Sequence, residues 1–314
     1  MIHSIFTQLL QTLLIVGLAP LLLGWINQCR AWLQNRSGAG VLQPYRVLHK
    51  LFNKDAVLAD RASPMFRIAP YVQFGCMALV ATIVPVLATD LPFAAAADVI
   101  ALVGLFALAR LFAALAAMDV GTAFGSMGAR REMLVACLAE PALLMVFFTP
   151  SLIAQSTSLP TIVETLAHRE FVLYPSMAFA AIAFYMVALA ENARIPVDNP
   201  ATHLELTMIH EAMTLEYSAR HLALVEWASA IKLMNFSVIG IALFLPWGIV
   251  EAEGWLLIPV ALAALLAKLI AGGVALALLE TLSAKMRIFR APEFLGTAFL
   301  LAVLGMLIRL ALEK

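Results

Sequence analysis

ENARIPVDNPATHLELTMIHEAMTLEYSARHLALVEWASAIK, residues 191–232, is a polar stretch in a chain that otherwise consists mostly of long apolar runs. It contains six acidic residues, three basic residues and three of the six histidines of the chain. Two prolines interrupt regular structure at its start, and the residue types from about Thr202 onward favour a helix. In a straight helix, Glu205 and Glu216 would project about 20° apart on one face, because eleven residues make roughly three turns.

Two interpretations of this stretch stay open on the sequence. The first is a solvated amphipathic helix that connects two membrane spans. The second is a carboxylate-lined cavity at the membrane edge, which handles protons or a polar ligand. Under the second interpretation, the stretch supplies four candidate residues for proton or ion coupling: Asp198, Glu205, Glu211 and Glu216.

The composition is that of a membrane protein. Hydrophobic residues make up 63% of the 314 residues, charged residues 13%, and the mean hydropathy is +0.95, well above the usual range of a soluble domain. The formal net charge is zero, which gives no electrostatic basis for nucleic-acid binding. Cys29, Cys76 and Cys137 are scattered singly, so we expect neither an iron–sulfur cluster nor a zinc site on this chain.

Eight apolar segments approach the length of about 20 residues that a transmembrane helix needs. They are 5–26, 68–89, 99–118, 133–154, 171–190, 233–250, 255–279 and 294–312. The sequence therefore predicts an all-α fold, a polytopic integral membrane helix bundle of about eight transmembrane helices. We expect one transmembrane domain, 1–314, without a separate soluble domain.

The distribution of lysine and arginine predicts the orientation. Fifteen of the twenty basic residues lie in four connecting segments: 27–67, 119–132, 191–232 and 280–293. Cytoplasmic loops carry such an excess. The long loops 27–67 and 191–232 are thus predicted to be cytoplasmic, and both termini periplasmic, in the inner membrane of a bacterium.

Three charged residues fall inside predicted spans: Arg110, Glu140 and Lys268. Charges at such depth are costly unless they face protein or water. We interpret them as interhelical partners of one another. Together with the acidic stretch they indicate a polar path through the bundle, which makes all three further candidates for ion coupling.

The first loop combines basic residues with glycines that permit tight backbone approach. Retention of positive charge on the cytoplasmic side and contact with lipid headgroups would explain it, but its motifs also indicate a shaped docking element. The candidates for docking or charge pairing, here and in the other loops, are Arg36, Gly38, Gly40, Gln43, Arg46, Arg67, Arg130 and Arg194.

Several motifs together resemble one family. They are Gly38-x-Gly40-x-Leu42-Gln43-Pro44, Phe66-Arg67-x-Ala69-Pro70, Gly128-Ala129-Arg130, Arg194-x-Pro196-x-Asp198-x-Pro200, Glu205-Leu206 and Glu216-Tyr217-Ser218. With them, the chain resembles over nearly its full length the membrane subunit that borders the quinone chamber of respiratory complex I and its counterpart in membrane-bound NiFe hydrogenases. The segment 193–213 looks most like the component C type of hydrogenase-4 and formate hydrogenlyase complexes.

This resemblance implies a membrane-anchoring and ion-coupling subunit that seats a soluble redox module. It implies no cofactor, metal site or redox centre on this chain; the NiFe centre and iron–sulfur clusters are expected on partner subunits. The implied partners are the large and small NiFe hydrogenase subunits, iron–sulfur proteins, antiporter-like membrane subunits and membrane lipid. The inference that redox chemistry drives ion movement rests on analogy with other members of the fold.

Two alternatives remain beside the hydrogenase assignment. One is a complex I subunit with a quinone cavity; Ala201, which follows the motif proline where complex I members place a glutamate, disfavours it. The other is a stand-alone secondary ion transporter. The sequence shows no inverted repeat with matching broken spans, a frequent feature of such transporters.

Overall fold

The structure, a computed structural model, describes residues 2–59, 62–86, 92–93, 96–168, 174–198, 208–248 and 258–312. Its described part is a bundle of α-helices. In chain order they are α1 (Ile2–Leu33), α2 (Gln43–Phe52), α3 (Pro64–Ile83), α4 (Val99–Asp119), α5 (Ala123–Ala154), α6 (Leu159–His168), α7 (Pro175–Glu191), α8 (His210–Thr214), α9 (Ala219–Phe244), α10 (Ile258–Leu282) and α11 (Ala291–Leu312).

Seven of the described helices are long and apolar enough to cross a membrane: α1, α3, α4, α5, α9, α10 and α11. The apolar helix α7, 17 residues long, is the eighth candidate. Each of the eight predicted spans therefore corresponds to one of these helices. The predicted class, an all-α polytopic membrane bundle, is confirmed.

The predicted bounds of the sixth span are wrong. The span was expected at 233–250, but α9 begins at Ala219 and ends at Phe244. The prediction excluded the first fourteen residues because they include His221, Glu226 and Lys232, which lower the local hydropathy. Glu226 and Lys232 line a cavity inside the bundle, so a helix at this place tolerates them.

A single straight helix through the acidic stretch is also contradicted. Helix α8 covers only His210–Thr214, and α9 starts after the turn at 215–218. Tertiary contacts explain the break: the Tyr217 ring stacks on Phe66 at 4.1 Å between centroids, and Ser218 Oγ accepts from Val57 N at 2.9 Å. Glu205 lies outside the described residues, and Glu216 is exposed in the turn.

A proline inside α1 leaves one backbone carbonyl free for a contact with another helix. Pro20 lies inside α1 and has no N–H for the helical bond to Val16 O. Trp227 of α9 donates its Nε1–H to that freed carbonyl at 3.0 Å. The Tyr45 hydroxyl of α2 also donates to a carbonyl of this turn, that of Gly17. The turn before Pro20 thereby joins α1 to both α2 and α9.

Beyond the last residue of α3, Ile83, the backbone is bonded by a buried glutamine side chain of α1. Gln11 of α1 donates Nε2–H to Val84 O at 2.6 Å, and its Oε1 accepts from Val86 N at 3.1 Å. The side chain is fully buried. The two bonds satisfy backbone groups that would otherwise be unpaired within an apolar environment.

Candidate functional site

A cavity of about 440 Å³ opens at the polar end of the bundle, the end that carries the connections α1–α3, α4–α5, α7–α9 and α10–α11. It exists because α7 ends inside the bundle. Glu191, the last residue of α7, contacts Arg110, which lies nine residues, roughly 14 Å, before the end of α4 at Asp119. The broken end of α7 thus faces a polar cavity, which is where irregular backbone is tolerated at membrane depth.

Arg110 is the centre of a buried ion-pair cluster. Its Nε lies 3.3 Å from Glu132 Oε1, its Nη1 lies 2.8 Å from Glu140 Oε1, and its Nη2 bonds Glu191 Oε2. Lys232 of α9 contacts the same Glu191 oxygen at 2.9 Å. Three carboxylates from α5 and α7 thus converge on one guanidinium, whose planar set of donors suits several acceptors at once.

His210, the first residue of α8, extends this cluster towards the loops. Its Nε2 lies 3.2 Å from Glu132 Oε2 and its Nδ1 lies 3.2 Å from Asp198 Oδ2. The other oxygen of Asp198 contacts Lys285 Nζ, also at 3.2 Å, in the α10–α11 connection. The cluster therefore runs without interruption from Glu140 through Arg110, Glu132, His210 and Asp198 to Lys285, in steps of 2.8–3.3 Å.

Both ring nitrogens of His210 face a carboxylate, which determines how the residue titrates. Burial by itself lowers the pKa of His210, but Glu132 and Asp198 together raise it, and the net shift is upward from the ordinary value of 6.5. A doubly protonated imidazolium can donate to both neighbours, whereas the neutral ring has one donor only. The raised pKa favours the charged, doubly protonated form of His210.

A second ion-pair cluster holds the loop after α7 against α10 and α1. Arg194 Nη1 lies 3.1 Å from Glu280 Oε1, and Arg30 Nη1 lies 3.5 Å from Glu280 Oε2. The backbone amide of Met286 adds a bond to Pro196 O at 2.9 Å. Arg30 and Arg194 both line the cavity, so this cluster forms part of its wall.

The structure brings together some of the residues proposed from the sequence. Arg110, Asp198, Arg194 and Glu211 line the cavity, and Glu140 pairs with Arg110 as the interpretation of the buried charges expected. A separate pocket in the first loop is lined by Arg36, Gly38, Gly40 and Gln43. The coupling and docking roles of all these residues stay predictions.

Other predicted residues lie elsewhere. The predicted pairing of Lys268 with Arg110 and Glu140 is wrong: Lys268 donates instead to Leu245 O at 2.7 Å and to Trp247 O, and so caps the end of α9. The carbonyl groups after the last turn of a helix need such a donor. Arg46, Arg67 and Arg130 are exposed, as is Glu216.

Several motif residues serve packing. Phe66 and Tyr217 stack, and the Tyr217 hydroxyl donates to Phe66 O at 3.2 Å. A side chain at Gly128 would lie 2.9 Å from both Ala212 Cβ and Ile209 O. This glycine therefore permits the close approach of α8 to α5 that places His210 beside Glu132.

Sequence reasoning did not select Glu132, Glu191, His210 or Lys232 as site residues. A signal appears only with the helix bounds of the structure: Arg110 lies nine residues before the end of α4, and Glu132 nine residues after the start of α5 at Ala123, whereas the predicted span 133–154 left Glu132 in a loop. Opposite charges at equal depth in a helical hairpin face one another readily. Glu191 and Lys232 gave no comparable signal, because both were assigned to the polar loop 191–232 and not to a helix.

Among the described residues, no group of three or more His, Cys, Asp or Glu side chains is placed to hold a metal ion.

The sequence profile of the NADH dehydrogenase family matches residues 7–311. The chain belongs to this family. The family that the motifs indicated is therefore confirmed.

Within the family, formate hydrogenlyase subunit 4 of Escherichia coli (strain K12) is 33% identical over 310 residues, which cover 98% of this chain and 99% of that protein. Hydrogenase-4 component C of the same organism is 35% identical over 247 residues, covering 78% and 77%. An NADH-quinone oxidoreductase subunit of Symbiobacterium thermophilum is 26% identical over 236 residues, covering 71% and 70%. The higher identities fall on subunits of hydrogenase complexes, in agreement with the branch that the motifs indicated.

A solved structure supports the same fold. The chain is similar to one in the membrane-bound sulfane sulfur reductase, an archaeal respiratory membrane complex, with a TM-score of 0.84. The superposition covers 96% of this chain and 99% of the other at 21% identity. The protein is thus a multi-pass membrane protein whose homologues are subunits of multisubunit membrane complexes.

Proposed function

We propose that this protein is the membrane subunit of a hydrogenase complex of the formate hydrogenlyase type, and that its charged cavity couples redox events in a soluble module to proton or ion movement. The observation that carries the proposal is the continuous ion-pair chain from Lys285 to Glu140. Glu140 lies seventeen residues, roughly 25 Å, from the start of α5. The ion-pair chain therefore reaches from the loops deep into the membrane-spanning helix α5.

The part of the ion-pair chain around His210 can exchange protons over short distances, whereas Arg110 stays protonated and acts through its charge. His210 Nδ1 lies at hydrogen-bond distance, 3.2 Å, from Asp198 Oδ2, and its Nε2 lies 3.2 Å from Glu132 Oε2 but is not aligned with it for a hydrogen bond. The buried oxygens Glu132 Oε2 and Glu191 Oε1 have no well-aligned hydrogen-bond donor among the described residues. A proton or a water molecule arriving in the cavity would satisfy them.

Glu140 is the membrane-facing end of the ion-pair chain. Its side chain is 34% exposed, whereas those of Arg110 and Glu132 are 4% exposed. On the same outer face of α5, Cys137 and Pro141 are also exposed. A carboxylate facing lipid at this depth is costly, so a membrane partner covers it in the assembled complex. An antiporter-like subunit with a protonatable side chain at this depth fits that surface.

The relatives, which are subunits of hydrogenase complexes, support the choice of soluble partners. The large and small NiFe hydrogenase subunits and iron–sulfur proteins dock on the polar end, and they hold the NiFe centre and the iron–sulfur clusters. The excess of lysine and arginine at this end supports a cytoplasmic location for it. Both termini then lie in the periplasm, and the protein resides in the bacterial inner membrane.

Glutamine substitutions in the intact complex test the proposal. Glu132→Gln and Glu140→Gln keep side-chain volume and remove the ionisable group. We expect both complexes to assemble and to lose most of their physiological hydrogen turnover or linked ion uptake into proteoliposomes. Hydrogen turnover with artificial electron carriers should persist, because the catalytic metal lies on another chain.

The matched control is Glu216→Gln, which changes an exposed glutamate at the same end of the protein. Its complex should retain wild-type turnover and ion uptake. Full physiological turnover and ion uptake in both Glu132→Gln and Glu140→Gln would show that the ion-pair chain is structural only.

A further inference from the structure

A second pocket, of about 230 Å³, lies between the end of α1, the following loop and the first residue of α2. Two arginines, Arg30 and Arg36, line it. Amide side chains supply further donors: Asn27, Gln28, Gln34 and Gln43. None of the described residues that line this pocket is acidic, although the whole chain has as many acidic as basic residues. The pocket is therefore suited to an anion.

The loop holds a fixed shape around this pocket. Helix α1 ends with Asn35 in the left-handed region, at φ 55°, and Arg36 N donates to Ala31 O at 2.8 Å. This bond across the end of a helix is the Schellman arrangement, and it fixes where the backbone of Arg36 lies. Further along, Gly40 N donates to Gln28 Oε1 at 3.2 Å.

Two glycines allow this close contact. A Cβ at Gly38 would lie 2.1 Å from Gln28 Oε1, and Gly40 has a φ of +92°, which disfavours other residues. The pocket is thus pre-organised by its backbone, so an incoming anion need not order the loop first.

The surroundings of the pocket match a membrane interface. Trp25 and Trp32 of α1 pack edge to face with 5.9 Å between ring centroids, and Trp32 is 58% exposed. Leu33 and Leu42, which precede the lining residues Gln34 and Gln43 in the sequence, have exposed side chains as well. Tryptophan is enriched at the level of the lipid headgroups. A cationic pocket beside exposed apolar side chains presents both contacts that a phospholipid makes.

We propose that this pocket binds the phosphate group of an anionic phospholipid, with Arg30 and Arg36 as its cationic ligands and the exposed apolar rim against the acyl chains. The same chemistry would accept free phosphate. A lipid is favoured because Trp32, Leu33 and Leu42 offer a surface that free phosphate does not use. Guanidinium groups bind phosphate with paired hydrogen bonds.

The pocket also shares a wall with the charged cavity. Asn27 and Arg30 line both spaces, and Arg30 contacts Glu280 at 3.5 Å and Asn27 Oδ1 at 3.2 Å. A phosphate in the pocket would draw Arg30 away from Glu280. Lipid binding would then alter the charge balance of the second ion-pair cluster.

The test measures lipid retention by the full-length chain. Purified protein is exchanged into phosphatidylcholine nanodiscs with or without phosphatidylglycerol, and retained lipid is counted by native mass spectrometry after release. Arg36→Ala removes a lining arginine that is exposed, so the fold should persist. Arg46→Ala removes an exposed arginine of α2 that does not line the pocket, and serves as the control.

We expect phosphatidylglycerol to be retained about fivefold less well by Arg36→Ala, since one basic residue near an anionic surface contributes on the order of 1 kcal/mol. Retention by Arg46→Ala should match the wild type. In a second arm, inorganic phosphate is titrated in phosphatidylcholine nanodiscs, and it should bind far more weakly than phosphatidylglycerol is retained.

Three results would overturn the proposal. An equal loss of retained phosphatidylglycerol in Arg36→Ala and Arg46→Ala would mean that the lipid is attracted to the basic surface in general and not to this pocket. Arg36-dependent binding of inorganic phosphate without retention of phosphatidylglycerol would make the site one for a free anion. Cross-linking of position 36 to a carboxylate of a partner subunit in the intact complex, with no lipid retained there, would assign the pocket to protein docking.

Discussion

Replacing Arg110 with methionine should destabilise the folded protein strongly. Arg110 is buried and contacts Glu132, Glu140 and Glu191 at once. Methionine fills much of the same volume and supplies no charge, which leaves three carboxylates with Lys232 as the nearest cation, at 2.9 Å from Glu191. Removing one partner from a buried ion pair costs about 3–5 kcal/mol.

That cost should be visible as a lower melting temperature. For a chain of this size, 3–5 kcal/mol corresponds to a decrease on the order of 10 °C. The assay is thermal unfolding of the purified full-length chain in detergent, followed by tryptophan fluorescence. Arg67→Met is the matched control, because Arg67 is exposed at the start of α3, and such surface changes stay within about 0.5 kcal/mol.

A second variant isolates the electrostatic cause. Adding Glu140→Gln to Arg110→Met removes the carboxylate whose ion pair among the described residues is with Arg110 alone, so the double variant should melt above Arg110→Met alone. If Arg110→Met melts at the wild-type temperature, the convergence of three carboxylates does not hold this part of the bundle together. If the second substitution lowers the melting temperature further, lost packing and not unpaired charge explains the effect.

Three further substitutions probe other contacts. His210→Gln should lose stability mostly below pH 6.5: the folded-state pKa of His210 is raised, so its contribution is full below the unfolded pKa and disappears as pH rises through the folded one; melting curves over that pH range check this. Gln11→Leu leaves two buried backbone groups after α3 unpaired, so chemical unfolding should show a loss of about 2–4 kcal/mol. Trp227→Phe leaves Val16 O without its donor and should cost about 1–3 kcal/mol in the same assay, whereas the exposed Trp32→Phe should be near neutral.

The membrane fold was predictable because it depends on composition over long windows. Twenty apolar residues can be recognised without knowledge of their neighbours, and all eight predicted spans correspond to helices. The ends of the helices were less predictable. Helix α9 begins fourteen residues before the expected 233, where the polar residues face a cavity that the sequence does not reveal.

The break between α8 and α9 was not predictable from helix propensity. The residues around 215–218 favour a helix locally, but Tyr217 stacks on Phe66, 151 positions earlier in the chain. Ser218 is likewise held by Val57. Such contacts between distant segments override propensity, and they separate Glu216 from the position that a continuous helix would give it.

The candidate site was predictable in part for a related reason. Arg110 and Glu140 stood out as charges within apolar segments, and they do pair. Lys268 stood out equally and instead caps the end of α9. A buried charge in the sequence thus indicates that a partner exists, but only the packing of the helices determines which one.

The short length of α7 links these observations to function. Glu191 ends this helix, where its carboxylate adds to the partial negative charge of the helix terminus, an unfavourable arrangement by itself. Arg110 and Lys232 offset both charges, and Arg110 simultaneously contacts Glu140 on the outer side of α5. We therefore expect a change in the charge of Glu191 to alter the balance of forces on Arg110, and with it the position of Arg110 relative to Glu140. The coupling that we propose between the cavity and the membrane-facing carboxylate would thus run through one guanidinium, that of Arg110.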